Sequence, residues 1–178
     1  MINIIVAYCK NRGMGVNNQL PWMISKDLKR FKIFTIGNGN NGVIMGRKTW
    51  ESLPFKPLPE RKNIVLSRTM EEKNDNGCIV KRNLEDALNY SKKKRLISTW
   101  IIGGGEIYNE ALKSNYVNNV YVTEIKEDFE CDVFFSKLPD HYDLRYISNW
   151  KPSKSVQGDN TFRYLHYKNI SSKKFIPF

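Results

Sequence analysis

Trp100-Ile101-Ile102-Gly103-Gly104-Gly105-Glu106-Ile107-Tyr108 reads as a buried strand, a glycine turn and the first turn of a helix. Glycines in such a turn permit a positive φ or the close approach of a ligand. Val43-Ile44-Met45-Gly46-Arg47-Lys48-Thr49 repeats the pattern, with a short helix from Thr49 through Trp50 to Leu53. Backbone N–H groups at a helix start bind phosphate, and Arg47 and Lys48 add charge-assisted contacts. The apolar run from Met1 to Tyr8 predicts a buried first strand. Further strands are predicted at Asn63 to Leu66, ending in Ser67-Arg68, and at Cys78 to Val80, ending in Lys81-Arg82. A helix from Leu84 fades in Lys92-Lys93-Lys94-Arg95, and Pro54, Pro57 and Pro59 exclude one between. Val117 to Ile125, Tyr142 to Trp150 and Thr161 to Asn169 read as strands with no helix separating the last of them.

Alternating strands and helices followed by strands alone imply an α/β fold. The expected architecture is one domain over residues 1–170 with a tail at 171–178. Its central sheet is mostly parallel and doubly wound, with about eight strands, an antiparallel C-terminal edge and about four flanking helices. Ligands of such sheets sit at the carboxyl ends of the strands, where the glycine and basic turns fall. The glycine run is a poor dinucleotide fingerprint, because Gly103-x-Gly105-x-x-Tyr108 lacks the third glycine of GxGxxG. An ordinary Rossmann fold is therefore not expected.

Leu20-Pro21-Trp22-Met23-Ile24-Ser25-Lys26-Asp27-Leu28-Lys29-Arg30-Phe31 carries the candidate acid. Pro21 disfavours helix before it, Ser25 suits an N-cap and Gly37 suits a stop, so a helix is predicted from near Ser25 to Ile36. Ile24, Leu28, Phe31 and Thr35 recur at helical spacing, and Asp27 lies one turn before Phe31. The carboxylate is thus expected on the buried side, with Lys26, Lys29, Arg30 and Ile33 on the others. An acid in a first turn is also favoured by the helix dipole, whatever the function. Between the first strand and this helix, Lys10 to Gln19 is a long irregular loop of the kind that carries function.

At 178 residues the chain buries roughly 70% of its unfolded surface without staples. Cys9, Cys78 and Cys131 are widely spaced, with no CxxC pair and no nearby histidine, so a reducing compartment and no metal site are expected. No apolar run reaches the ~18 residues of a membrane span, and the N-terminus lacks a basic leader, so cytoplasmic location is expected. The net charge of +11 is spread over scattered lysines, with runs only at 92–95 and at Lys173-Lys174. No aromatic residues interleave with a basic stripe, which argues against specific nucleic-acid binding.

Taken in order, Ala7, Leu20-Pro21-Trp22, Asp27, Phe31, Gly46-Arg47-Lys48-Thr49-Trp50, Leu66-Ser67-Arg68, Ile102-Gly103-Gly104-Gly105-Glu106-Ile107-Tyr108 and Thr123 resemble the dihydrofolate reductase family over about Ile2 to Lys168. The resemblance implies reduction of 7,8-dihydrofolate by hydride transfer from NADPH, in a monomer of one-carbon metabolism. Asp27 matches the one ionisable pterin-binding side chain, with Trp22 holding a water, Thr123 supporting the acid and Tyr108 completing the catalytic group. Ile5, Ala7, Leu28 and Phe31 match the pterin contacts. Leu53, Leu58 and Arg61, assisted by Lys32, match the p-aminobenzoyl-glutamate site, where a guanidinium pairs a carboxylate in a bidentate fork. Cofactor contacts are implied at Ala7, Gly15, Leu20, Gly46, Arg47, Lys48, Thr49, Leu66, Ser67, Arg68, Arg82, Ile102, Gly103, Gly104, Gly105, Glu106, Ile107 and Tyr108. Gly103-Gly104 matches a cis peptide.

Glu60, where glycine is common, the Pro54-Phe55-Lys56 insert and the tail depart from the pattern. A second enzyme with a similar fold and the same cofactor is the reductase of riboflavin biosynthesis. Asp27, Trp22 and Arg61 argue against it, since its substrate has no glutamate tail. A basic nucleic-acid-binding module is the alternative of another class.

Overall fold

The N-terminal apolar run forms strand β1, Ile2–Tyr8, buried without a break from Asn3 to Val6. Continuous burial suits the centre of a parallel sheet, where helices cover both faces. In the computed structural model, which describes residues 1–71, 77–155, 158–172 and 175, β1 has parallel neighbours on both sides. Further strands are β2 (Gly13–Gly15), β3 (Asn41–Gly46), β4 (Arg61–Leu66), β5 (Ile79–Lys81), β6 (Thr99–Ile101), β7 (Asn119–Ile125) and β8 (Val133–Phe134). The last are β9 (Tyr142–Ile147), β10 (Lys151–Ser153) and β11 (Asn160–Asn169). The main sheet has the order β10-β11-β7-β1-β6-β3-β4-β5, with β9 also paired to β11. From β5 to β7 every pairing is parallel, and β11 then runs antiparallel to β7, β9 and β10.

Four helices accompany it: α1 (Ser25–Ile36), α2 (Arg47–Ser52), α3 (Leu84–Lys93) and α4 (Gly105–Ser114). The period-two alternation of strands sorts the core into two layers. Ile4, Val6, Ile44, Ile64 and Ile101 face α3 and α4 through Leu84, Ala87, Leu88, Ala111 and Leu112. Ile5, Val43, Met45, Val65 and Trp100 face the other way, with Trp50 of α2 and the half-buried Phe31 and Phe34 of α1. Among the described residues, no helix is long and apolar enough to cross a membrane.

The α/β sheet with its antiparallel edge is the architecture that the sequence implies, and several details differ. The strand expected from Tyr142 to Trp150 ends at Ile147 as β9, and a further strand, β10, begins beyond it at Lys151, both using β11 as partner. Within the loop after β1, β2 pairs with β8 as a separate two-stranded ribbon. Both are too short for periodicity to reveal. Ser25 is the first helical residue and does not cap α1; Ile24 holds the cap position with no side-chain bond. A true cap occurs at α3, where the Asn83 side chain accepts a bond from the Asp86 N–H at 2.8 Å. Of the tail, Ser171 accepts a bond from Asn115 through its carbonyl, and Phe175 packs edge-on against Tyr116 at 5.0 Å. Lys173, Lys174 and residues 176–178 lie outside the described residues.

The proline-rich segment before β4 is pinned by one buried side chain. Asn63 accepts the Leu58 N–H at 2.9 Å and donates to the carbonyls of Leu58 at 2.8 Å and Arg61 at 2.9 Å. Alanine there leaves buried backbone groups unpaired, so Asn63→Ala should lose roughly 2–4 kcal/mol of unfolding free energy. Urea titration with an unchanged slope checks this, and a loss under 1 kcal/mol would contradict it.

Candidate active site

The acid of α1 faces the carboxyl end of β7. Thr123 lies opposite Ala7 of β1 in the sheet register, and its hydroxyl donates to Asp27 Oδ1 at 2.5 Å. Arg30, one turn after Asp27, donates from Nη1 to the same hydroxyl oxygen at 3.3 Å. Burial raises the Asp27 carboxyl above the ordinary aspartate range, with the Thr123 hydrogen bond and the Arg30 charge opposing it. Arg30 therefore belongs to the acid's face of the helix, contrary to the surface position that the pattern predicts. Leu28 is 47% exposed, not on the buried side as its helical spacing implies.

Around this acid the apolar wall is drawn from separate elements. Ile5, Phe31, Leu53 and Leu58 belong to one cluster, and Ala7 packs with Trp22 and Ile24 in another. Trp22 is only 3% exposed, and its ring meets Phe129 edge-on at 5.4 Å. Among the described residues its indole Nε1 has no hydrogen-bond partner, a donor available to water or ligand at the entry to α1. Arg61 is aimed by two contacts: Nε donates to the Pro59 carbonyl at 2.8 Å and Nη1 to the Thr35 hydroxyl at 2.7 Å. No ion pair engages Arg61 among the described residues. Lys32 is exposed on the next turn.

The two glycine turns meet. The Gly46 N–H donates to the Gly103 carbonyl at 2.8 Å, joining the ends of β3 and β6. A Cβ on Gly46 would lie 3.5 Å from Ile107 and 3.7 Å from the Gly104 nitrogen, and one on Gly103 would lie 3.4 Å from the Thr49 hydroxyl. This is a backbone-lined cradle that side chains would fill. The Gly103-Gly104 peptide is cis, as the resemblance implies. Tyr108, fully buried by α4, donates its hydroxyl to the Ile5 carbonyl at 2.9 Å, which ties this cradle to β1.

The cations lie farther along the strand ends. Arg68 and Lys48 are exposed, while Arg47 is paired with Glu51 at 2.7 Å. Arg82 donates to the carbonyls of Ser67 and Met70, and the Ser67 hydroxyl accepts from the N–H groups of Thr69 and Met70. Arg82 and Ser67 thus shape the turn after Leu66. Leu20 is 53% exposed, and Gly15 lies against the Gln19 carbonyl. Asn17, Asn18 and Gln19 face Lys48, Glu51 and Ser52 of α2 across an open cavity whose lining does not include Asp27. Glu106 is exposed, and Ile102 and Gly105 are half-buried.

Residues 1–169 match the family model described as dihydrofolate reductase. The chain belongs to the dihydrofolate reductase family. It is 34% identical to the dihydrofolate reductase of Heliothis virescens, an alignment covering 95% of this chain and 97% of that protein. To that of Drosophila melanogaster it is 39% identical, covering 79% and 81%, and to that of Rattus norvegicus 38%, covering 77% and 79%. This chain is accordingly an oxidoreductase of a family that reduces dihydrofolate with a nicotinamide cofactor. The match favours this family over the riboflavin-pathway alternative.

Two side chains have partners that the sequence reading does not anticipate. Arg30 carries a signal, its spacing of three from Asp27, which places both on one face. Asn63 carries none, because a strand asparagine gives no hint of what its amide holds.

The glycines of the cradle are unequal. Gly104 has φ −84°, and a Cβ there meets only the Thr49 hydroxyl at 3.5 Å. Gly103 has φ +127°, which L side chains resist. Gly103→Ala should therefore cost about 1–3 kcal/mol by denaturant unfolding, while Gly104→Ala costs under about 1. Equal costs would contradict this.

The raised Asp27 carboxyl fixes a second sign. The fold favours its protonated form, so the stability this contributes is full below the ordinary aspartate range and is lost as pH rises through the elevated folded value. Asp27→Asn keeps an acceptor for Thr123 and removes the buried charge, so at pH ~7 it should melt no lower than wild type. That relative advantage should vanish near pH ~3; a variant clearly less stable at neutral pH would overturn the account.

Proposed function

We propose that this reductase takes its hydride from NADPH and that Asp27 organises the pterin of 7,8-dihydrofolate for it. The carrying observation is a carboxylate between Thr123 and the apolar wall of Ile5, Ala7 and Phe31. Reduction of the substrate's C=N bond requires a hydride on carbon and a proton on N5. NADPH, when bound, supplies the hydride. Asp27 accepts hydrogen bonds from the pterin N3–H and 2-amino group, which orients the ring and favours protonation at N5. The unpartnered Trp22 Nε1 suits a hydrogen bond to the water that delivers that proton. Arg61, held towards its site by Thr35 and the Pro59 carbonyl, receives the glutamate α-carboxylate in a bidentate fork.

Gly46, Thr49, Gly103, Gly104 and Gly105 would accept the dinucleotide's pyrophosphate along the joined turns, where backbone can approach without a Cβ in the way. Tyr108, Ile102 and Ile107 back that surface, with Ala7, Gly15 and Leu20 on the β1 side. Arg68 and Arg47 would meet the 2′-phosphate, with Arg82 holding the turn that presents Arg68. A monomer acting on a small molecule in the cytoplasm, with no specific nucleic-acid partner, accords with the scattered surface cations.

Asp27→Asn tests the carrying observation. The amide cannot hold the negative charge, so single-turnover hydride transfer at pH ~7 should fall at least ~100-fold and recover as pH is lowered. Near-wild-type rates with an unchanged pH profile would remove Asp27 from the mechanism.

Cofactor choice gives an independent measurement. Arg68→Ala should lower kcat/KM with NADPH by roughly 10-fold or more, about 1.4 kcal/mol, and leave the value with NADH within about twofold. Equal losses with both cofactors would overturn the assignment.

A further inference from the structure

Arg30 is a cation held in place by aromatic rings. Its guanidinium lies 4.2 Å from the ring centre of Tyr164 on β11, 4.8 Å from Phe34 on its own helix and 6.0 Å from Tyr121 on β7. Among the described residues it makes no direct ion pair. Its polar contact is the Thr123 hydroxyl oxygen, which in turn donates to Asp27 Oδ1. A hydroxyl has one proton and two lone pairs. With a lone pair engaged by the guanidinium, the Thr123 proton is directed at the carboxylate.

We propose that Arg30 is a positioning residue for dihydrofolate reduction, fixing Thr123 as a donor to Asp27 and holding that carboxylate available as an anion at neutral pH. This rests on the role proposed for Asp27. A side chain that merely filled the gap between Phe34 and Tyr164 could be apolar, and burying a guanidinium among rings is unfavourable unless its charge is used. The groups facing it from other elements are Tyr121 of β7, Tyr146 of β9, and Tyr164 and His166 of β11, with Lys151 of β10 on the Tyr164 ring at 5.2 Å, while Tyr108 of α4 faces Asp27. Burial raises the phenols of Tyr108, Tyr121 and Tyr164, and burial with the Arg30 charge lowers the imidazole of His166. Asp27 and His166 are therefore the groups in this set whose charge changes in the acid range under the influence of Arg30, and carboxyl NMR reads Asp27 apart from the imidazole.

The test compares Arg30→Met, Arg30→Gln and Arg30→Lys with wild type, using NADPH and dihydrofolate in single turnovers from about pH 5 to 9 and carboxyl NMR of Asp27 in the free enzyme. Gln retains a donor for Thr123 without charge, and Lys retains charge. Removing the charge should move the Asp27 titration up by about one pH unit in both the Met and Gln variants, and shift by a similar amount the limb of the rate profile that Asp27 governs. Lys should restore most of the wild-type position. A folded Met or Gln variant with wild-type titration and profile would reduce Arg30 to packing, and a Lys variant shifted as far as Met would show that its charge is not the agent. Unchanged profiles in Asp27→Asn would instead sink the role of the acid. A large loss in Asp27→Asn beside an unmoved Arg30→Met would sink the Arg30 proposal alone.

Discussion

The parallel pairing of β1 on both of its edges is the constraint from which the site follows. Register places Ala7 beside Thr123 on one side and Ile4 beside Ile101 on the other, so β1 and β7 run on together past the end of β6, where the glycine turn begins. β3 joins β6 in the same direction and brings Gly46 alongside Gly103. A slip of one residue in any of these pairings would turn Ile5 to the α4 side and Thr123 away from Asp27. Continuous apolar burial along β1 makes such a slip costly, since nearly every side chain already has a packed partner.

Within that frame, the acid's surroundings oppose one another. Burial disfavours the charged carboxylate, whereas the Thr123 hydroxyl and the Arg30 charge favour it. The three groups come from one helix and one strand, so docking α1 on the sheet and setting the ionisation of Asp27 are a single structural event. Burying a lone carboxylate would move its titration much further, and leaving it on the surface would surrender control of the pterin's protons. The partial compensation keeps an acid both ionisable and shielded, which suits the orienting role proposed for Asp27.

Much of this was legible in the chain, and the boundary is physical. Strands of six or seven residues and helices of ten or more announce themselves by period, as β1, β7, α1 and α4 do. β2 and β8 have three and two residues, too few for any period, and form because the loop after β1 bonds to the 131–135 segment through Gly15, Arg12 and Asn17. Likewise the break between β9 and β10 reflects two segments sharing β11, a tertiary fact with no local mark. Asp27, Thr123 and the glycine turns stand out because their order along the chain is itself a pattern. Leu28 was misplaced and Arg30 overlooked for one reason: polarity assigned each to a face, whereas geometry puts the arginine at i+3 from the acid and leaves the leucine in the open.

The cofactor side follows a different logic from the acid side. Asp27 depends on side chains, whose replacement alters charge or hydrogen bonding at one point. The cradle at Gly46 and Gly103 depends on backbone, and its one obligatory glycine is the residue at φ +127°. Arg82 extends this use of backbone, spending its guanidinium on the carbonyls of Ser67 and Met70 so that the turn after β4 holds its shape. A cation that shapes a turn and one that meets a phosphate look alike in sequence, and only the carbonyls within reach separate them. Arg82 acts on the cofactor side through the loop it braces, whereas Arg68, exposed at the head of that loop, carries its charge to the outside. On the assignment proposed for the cofactor, Arg68 can be replaced without disturbing the turn, whereas a change at Arg82 also loosens the turn.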